Sequence, residues 1–270
     1  MSVQSQAPMV TSNHASAMAT IAYRDFVKFL RDPVRIISTF AFPLIFVVVL
    51  GGSLQDNLGT QAGYDFLTFT FTGVLAQTLF QSSALGIISM IEDRESDFSQ
   101  EIFVAPISRY AIVIGKIIGE SLVALTQGVG LIALAVPIGV DLSPGQIIGL
   151  IPTTIASCLL GGAFGLLVLS RLSSQRAAQQ LFPFVFLPQF FLAGVFNPIQ
   201  QLPWYLEVLS RISPLRYAVD LMRGVFYAGT AERAKVVLDP LALNLLVVGG
   251  MFAVFLVAGT ALFVRGEQNR

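Results

Sequence analysis

The chain has 270 residues, 54% of them hydrophobic and only 12% charged. A soluble domain of this length carries about a quarter charged residues, so an ordinary soluble globule is excluded. Lys plus Arg and Asp plus Glu balance at 16 each, which leaves no electrostatic argument for nucleic acid as a partner. The charges lie in short clusters between long uncharged runs, the pattern of an all-α, polytopic integral membrane protein.

Residues 1–19 are rich in Ser, Ala, Thr and Gln, and no Lys or Arg precedes Arg24. They predict a disordered cytoplasmic tail and not a secretory signal peptide. His14 is the only histidine and has no second His or Cys nearby to share a metal. One membrane domain is expected over 20–270. It opens on a helical stretch in which Tyr23, Phe26, Val27 and Leu30 share one face, and Arg24, Asp25, Lys28 and Arg31 the other. This reads as an amphipathic helix on the inner membrane surface; the alternative is a charged lead-in that only fixes topology. Asp32-Pro33 then marks a turn into the first span.

Apolar runs predict six spanning helices, at about 36–54, 66–91, 117–140, 147–170, 177–199 and 241–264. At about 19 residues or more and about 1.5 Å per residue, each crosses a hydrocarbon core of about 30 Å. Helices are assigned because a chain in lipid must satisfy its own backbone hydrogen bonds. With both termini in the cytoplasm, every Lys and Arg outside the segment 200–240 falls on the inner side. That segment carries Arg211, Arg216, Arg223, Arg233 and Lys235 on the outer side. Glu207 with Arg211, Arg216 with Asp220, and Asp220 with Arg223 stand at helical spacing, and Trp204, Tyr205, Tyr217 and Tyr227 suit a water–lipid boundary. The reading is a re-entrant external helical element over 200–230, followed by an exposed loop near Gly229–Lys235; the alternative is a hidden seventh crossing.

Catalytic and ion-coupling parts are missing. From Ser121 onward the third run is uncharged, like the other five, so a proton- or sodium-coupled carrier lacks its usual buried groups. Lys116 and Glu120, four residues apart, read as an interfacial ion pair. No run supplies paired aspartates, Ser with His, or zinc ligands, and Cys158 is a lone small residue in an apolar run. Gly115-Lys116 is the only Gly-Lys pair; Tyr110 stands where a phosphate loop needs glycine, and Ile117 where it needs Ser or Thr. The chain is thus expected not to be an enzyme by itself and to bind no cofactor, leaving ATP and Mg to a partner.

The stretch 92–116 reads EDRESDFSQEIFVAPISRYAIVIGK. Its spacing predicts a short helix ending before Pro106. The apolar cluster Ile102, Phe103, Val104 and Ala105 needs cover, from its own protein or from a partner's groove. In the second run Gln77 and Gln81, with Ser82 and Ser83, are polar candidates for a substrate path or for helix–helix hydrogen bonds. In the fifth, Phe186, Phe190 and Phe191 stand among Pro183 and Pro188, and face either a path or lipid and neighbouring helices.

Four features together resemble the permease subunit of type-2 ABC exporters, the group that includes daunorubicin-resistance-type drug exporters and polysaccharide or nodulation-factor exporters. They are FLRDPVRIISTFAFPLIFVVVLG (Phe29–Gly51), EIFVAPISR (Glu101–Arg109) with Lys116, FLAGVFNPIQQLPWYLEVLSRISPLRYAVDLMRGVFY (Phe191–Tyr227), and the order of the six runs. The resemblance implies that Tyr23, Phe26, Val27 and Leu30 belong to a connector helix. It also implies that Glu101, Ile102, Phe103, Val104, Ala105, Pro106 and Arg109 form a coupling helix docking into a separate ATPase subunit. It implies two ATPase copies and a second permease, as a homodimer, in the bacterial inner membrane. The expected function is ATP-driven export of a hydrophobic, drug-like, lipid or glycolipid substrate, with Gln77, Gln81, Phe186, Phe190 and Phe191 near its path. The alternative is an ion-coupled or passive carrier acting without an ATPase.

Overall fold

The computed structural model describes residues 14–95, 108–172, 174–200 and 202–268, and these contain helices and turns but no strand. Helix α1 spans His14–Leu30 and α2 Pro33–Ile45; α2 continues through a π-helical turn, Phe46–Gly51, into α3, Gly52–Ala62. Then follow α4 (Phe66–Gly86), α5 (Ile88–Glu95), α6 (Arg109–Ala135), α7 (Pro144–Leu169) and α8 (Gln175–Leu192). A hairpin of α9 (Trp204–Ile212) and α10 (Pro214–Phe226), a short α11 (Arg233–Val236) and the long α12 (Leu241–Gln268) complete the chain.

Local chemistry sets the boundaries. Asp32, Asp65, Ser108, Ser143 and Ser174 each cap a helix N-terminus by accepting a backbone N–H from the first turn. Pro43 lies inside α2 and has no N–H to give, and the helix widens into its π turn just after it. Gly63 (φ 69°) closes α3 in the left-handed region, where a side chain is strained.

Among the described residues, five helical segments are long and apolar enough to cross a membrane: Pro33–Asn57, Phe66–Asp93, Arg109–Ile138, Pro144–Leu169 and Arg233–Gly266. The chain is an all-α integral membrane protein. The stretch predicted as a fifth span, 177–199, differs. Helix α8 stops at Leu192, and its 18 residues rise about 27 Å. Four glutamines and two prolines make it less apolar than the others. Beyond it the chain is non-helical, with Gly194 at φ 69°, and Ala193, Val195 and Ile199 are buried. Non-helical backbone at membrane depth is tolerated only under such cover.

The helices run between two ends. At one, Arg109 Nη1 of α6 donates to Val264 O of α12 (3.4 Å), and α1 and α5 pack nearby. At the other, Gln146 Nε2 of α7 donates to Phe226 O of α10 (2.9 Å), and Lys235 Nζ to Gly63 O (3.1 Å). Helix α8 starts beside α5 and finishes at the hairpin, where Ser210 Oγ donates to Leu192 O (2.6 Å). It therefore bridges the two ends, as the five apolar segments do.

Small residues set the closest contacts. A Cβ on Gly161 or Gly165 of α7 would collide with the carbonyl oxygens of Phe80 and Ala84 of α4. A Cβ on Gly115 or Gly119 of α6 would come within 3.1 Å of Met18 Cα and 2.9 Å of Ala22 Cα of α1. Between apolar helices in lipid there is little hydrophobic drive, so van der Waals contact at glycine stripes carries the association.

Candidate functional site

The second glycine stripe brings α1 so close to α6 that Asp25 of α1 is buried against it. Lys116 Nζ of α6 lies 3.1 Å from Asp25 Oδ2 and 2.8 Å from Asp93 Oδ2 at the end of α5. Arg24 Nη2 reaches the same two carboxylates, at 2.9 Å and 2.8 Å. Lys116 Nζ also donates to Ser89 Oγ (3.0 Å), and Ser89 Oγ donates to Glu120 Oε1 (3.1 Å). Glu120 Oε2 faces Arg35 Nη2 of α2 at 3.8 Å. Gly86 makes room for the Glu120 carboxylate, which a Cβ at that position would strike. Among the described residues, three cations and three carboxylates thus form one node on α1, α2, α5 and α6. Burial works against the Arg24 guanidinium, yet hydrogen bonding and attraction from Asp93 and Asp25 raise its pKa above the ordinary value. Charges withdrawn from water in this way are held only by their partners, and removing one partner costs about 3–5 kcal/mol.

The node corrects two sequence expectations. Lys116 and Glu120 do not pair with each other in the way their spacing suggested; each turns to a different helix. They also lie within Arg109–Ala135, so ionisable groups do occur in a helix long and apolar enough to span. Asp25, assigned to the polar face of α1, is instead part of its packed face with Ala22 and Phe29. Tyr23 and Leu30 of the predicted apolar face are exposed, and Phe26 and Val27 half-buried. That face is turned away from the protein, where a membrane surface would meet it.

Of the predicted coupling residues, Glu101, Ile102, Phe103, Val104, Ala105 and Pro106 lie outside the described residues. Arg109 opens α6 and ties it to α12 through Val264 O. The segment that carries the other six leaves from α5 and returns to α6, both anchored in the node.

A cleft of about 420 Å³ lies beside the node, between α2, α4 and α6. Phe42, Phe46, Val74 and Leu85 line it together with Gln77, Gln81, Ser82 and Gln127, and Arg35 lines it too. Gln77 Nε2 donates weakly to Gln81 Oε1 (3.5 Å). Ser83 does not line the cleft; it meets Ser121 of α6 at 3.4 Å. Phe186 and Phe190 are buried away from it, and the ring of Phe186 stacks on Phe182 at 4.1 Å and meets Phe80 and Phe164 at 5.8 Å each. Phe191 points outward. Of the five residues predicted near a path, Gln77 and Gln81 share this cleft, while Phe186, Phe190 and Phe191 do not line it. Arg35 and Gln127 were missed, although an amide inside an otherwise apolar run was a legible signal for Gln127.

At the opposite end the charges behave differently. Arg211 Nε binds Glu207 Oε1 at 2.8 Å, as the spacing predicted. Arg216 turns from Asp220 to Glu207 (3.3 Å) and Ser210 Oγ (2.7 Å). Asp220 accepts from the backbone N–H of Leu238 and Asp239 and from Asn244 Nδ2, at 2.7, 2.8 and 2.7 Å. Arg223 lies 3.6 Å over the Phe69 ring and donates to Phe69 O and Val195 O. Trp204 and Tyr205 are exposed, while Tyr217 and Tyr227 are buried.

These features define a multi-pass helical membrane protein with a buried charge node at one end and a helical hairpin at the other. Residues 16–227 match the ABC-2 type transporter family, and the chain belongs to that family. It is 24% identical over 211 residues to the "Putative transport permease ycf38" of Cyanophora paradoxa, covering 75% of this chain and 71% of that protein. It is 30% identical over 142 residues to the "Probable multidrug ABC transporter permease YbhR" of Escherichia coli K12, covering 52% of this chain and 38% of that one. To "Nodulation protein J" of Rhizobium meliloti it is 24% identical over 196 residues, 70% of this chain and 73% of the relative.

Proposed function

We propose that the chain is the membrane-spanning permease subunit of an ATP-driven exporter, with ATP and Mg bound and hydrolysed on a separate ATPase subunit. Two permease chains, as a homodimer, and two ATPase chains form the working unit in a bacterial inner membrane. The end that holds α1 and the node faces the cytoplasm, together with both termini. The cargo is hydrophobic: drug-like, lipid or glycolipid. A multidrug permease and a nodulation protein among the relatives support that range.

The observation that carries this reading is the node. The segment 96–107 is joined to α5 on one side and α6 on the other, and Asp93 and Lys116 bind the two to each other and to α1. A displacement applied to that segment by an ATPase moves α1, α5 and α6 as one body, the rigid-body route by which packed interfaces transmit motion. Glu120, a carboxylate within a membrane-length helix, is what favours an ion-coupled carrier acting alone. It stands opposite Arg35 and accepts from Ser89, contacts that tie it to the node.

The test is co-purification with candidate ATPases, then ATP-dependent export in proteoliposomes. The expected result is cargo accumulation that needs both chains and ATP, and that is lost in Phe103→Asp with membrane insertion intact. Uphill transport by the chain alone, driven by an ion gradient, would overturn the reading.

A further inference from the structure

The second span is broken where it reaches the node. Its helix stops at Gly86 and resumes at Ile88 as α5. Met90 N–H turns back to Ile87 O (3.0 Å), the three-residue contact of a tightened turn. On the hairpin side of the break α4 is fixed, because Gly161 and Gly165 of α7 press on the carbonyls of Phe80 and Ala84. On the node side α5 is fixed to α6, through Asp93 and Lys116 at 2.8 Å. A change of angle in this span therefore falls on residues 86–89.

One hydroxyl proton sits at that break. Ser89 Oγ lies 2.6 Å from Gly86 O and 3.1 Å from Glu120 Oε1. Lys116 Nζ donates to the same hydroxyl oxygen (3.0 Å), so its single proton makes a full hydrogen bond to one of the two acceptors at a time. Glu120 is buried, and among the described residues Ser89 is the side chain that donates to it. Arg35 Nη2 stands 3.8 Å from Glu120, within electrostatic reach but outside hydrogen-bond range. Two buried acceptors thus compete for one donor, and Arg35 tips the balance. With the guanidinium at Glu120, the carboxylate charge is met and the proton is left to Gly86 O. A serine bonded back onto the preceding turn bends a helix, so this arrangement holds α5 at an angle to α4. With the guanidinium withdrawn, the carboxylate is the stronger acceptor and takes the proton, which releases the bend.

Arg35 is carried on a helix with room to move it. Pro43 is the buried residue of α2, whereas Val34, Ile37, Phe42 and Ile45 are exposed. Pro43 and the π turn after it are places where a helix bends. They separate this half from Val47 and Gly51, which are buried; a Cβ on Gly51 would lie 3.3 Å from Thr70 Cβ of α4.

We propose that Ser89 is a positioning residue, a two-state switch at the break in the second span, through which Arg35 on α2 sets the angle of α5 against α4. The switch itself stands apart from the exporter reading. That it links α2 to the ATPase through segment 96–107 rests on that reading.

The experiment uses the full-length chain in phosphatidylcholine nanodiscs, with the buried Cys158 replaced as Cys158→Ala. Spin labels are placed at Glu92→Cys on α5 and at Ile148→Cys, an exposed position of α7. Dilution with unlabelled chain restricts the distances read by pulsed EPR to those within one molecule. Two populations are expected. Arg35→Gln should shift their ratio about tenfold in one direction and Glu120→Gln about tenfold in the other, the preference of a donor for a carboxylate over a neutral acceptor. Ser89→Ala should abolish both responses and Ser89→Thr restore them; lost packing alone lowers the unfolding midpoint and gives neither the opposed shifts nor the rescue. Shifts in the same direction, a single distance unmoved by either variant, or an Arg35→Gln shift that persists with Ser89→Ala would each overturn the proposal. With the partner ATPase bound, ATP should shift the same ratio in the parent and in Ser89→Thr, but not in Ser89→Ala. An ATP response that survives Ser89→Ala overturns the link to the ATPase and leaves the exporter reading standing. Opposed shifts in a chain that no ATPase binds sink the exporter reading and leave the switch standing.

Discussion

The two ends of this molecule bury charge by opposite means. At the α1 end, Asp25, Asp93, Lys116 and Glu120 are countered by side chains on α1, α2, α5 and α6. At the hairpin end, Arg223 and Asp220 are satisfied largely by backbone: the carbonyls of Phe69 and Val195 and the amides of Leu238 and Asp239. Side-chain ion pairs between helices tie one helix to the next, so a displacement of one is passed to the others. A side chain bound to fixed backbone groups holds one loop geometry and has no second arrangement to offer. The node is therefore suited to transmitting motion, and the hairpin end to resisting it.

The sharpest way to break that contrast is Arg223→Met. It removes both carbonyl contacts and the ring contact together and should cost about 1–3 kcal/mol for each carbonyl left unpaired, read as a lowered unfolding midpoint in detergent and poor recovery from membranes. An unchanged midpoint would deny the hairpin end its scaffold role. Next comes Lys116→Met, which leaves Asp25 and Asp93 facing each other, with a cost of similar size or slightly less because Arg24 remains. Adding Asp25→Asn should recover part of that stability but not ATP-driven export. Recovery of both would make the node a structural plug and nothing more.

Gly119→Ala comes third. The new Cβ would meet Ala22 Cα at 2.9 Å and must push α1 outward, at about 1–3 kcal/mol; crosslinking between cysteines placed on α1 and α6 should report the separation. The smallest effect belongs to Glu207→Gln. Hydrogen bonds from Arg211 and Arg216 hold the Glu207 carboxyl below the usual carboxylate range. A depressed value means that its stabilisation is complete above the unfolded-state pKa and fades as pH falls through the folded one. The wild-type protein should lose slightly more stability on acidification than the Gln variant does, and equal acid sensitivity in the two would show that the pair contributes nothing.

Much of the layout was legible in the chain. Uncharged runs longer than a bilayer core admit little except spanning helices, and five of the six predicted runs carry them. The fifth run is the least apolar because Gln179, Gln180 and Gln189 offset its phenylalanines, and its helix ends at Leu192, before Gly194 takes the chain out of the helix. Helical spacing along α1 sorted Asp25 onto the wet face, since spacing knows only its own helix. Nothing within residues 14–30 reports that Gly115 and Gly119, about a hundred positions away, would accept that face.

Composition and spacing by themselves determined the class of solvent this protein folds in and the absence of a nucleotide loop, because each is a property of one segment by itself. Tertiary structure alone decided which charges meet, that Lys116 and Glu120 part company, and that two glutamines from different helices line one cleft. Those outcomes depend on how closely pairs of helices approach, and that distance is set by glycines on one helix matched to backbone on another.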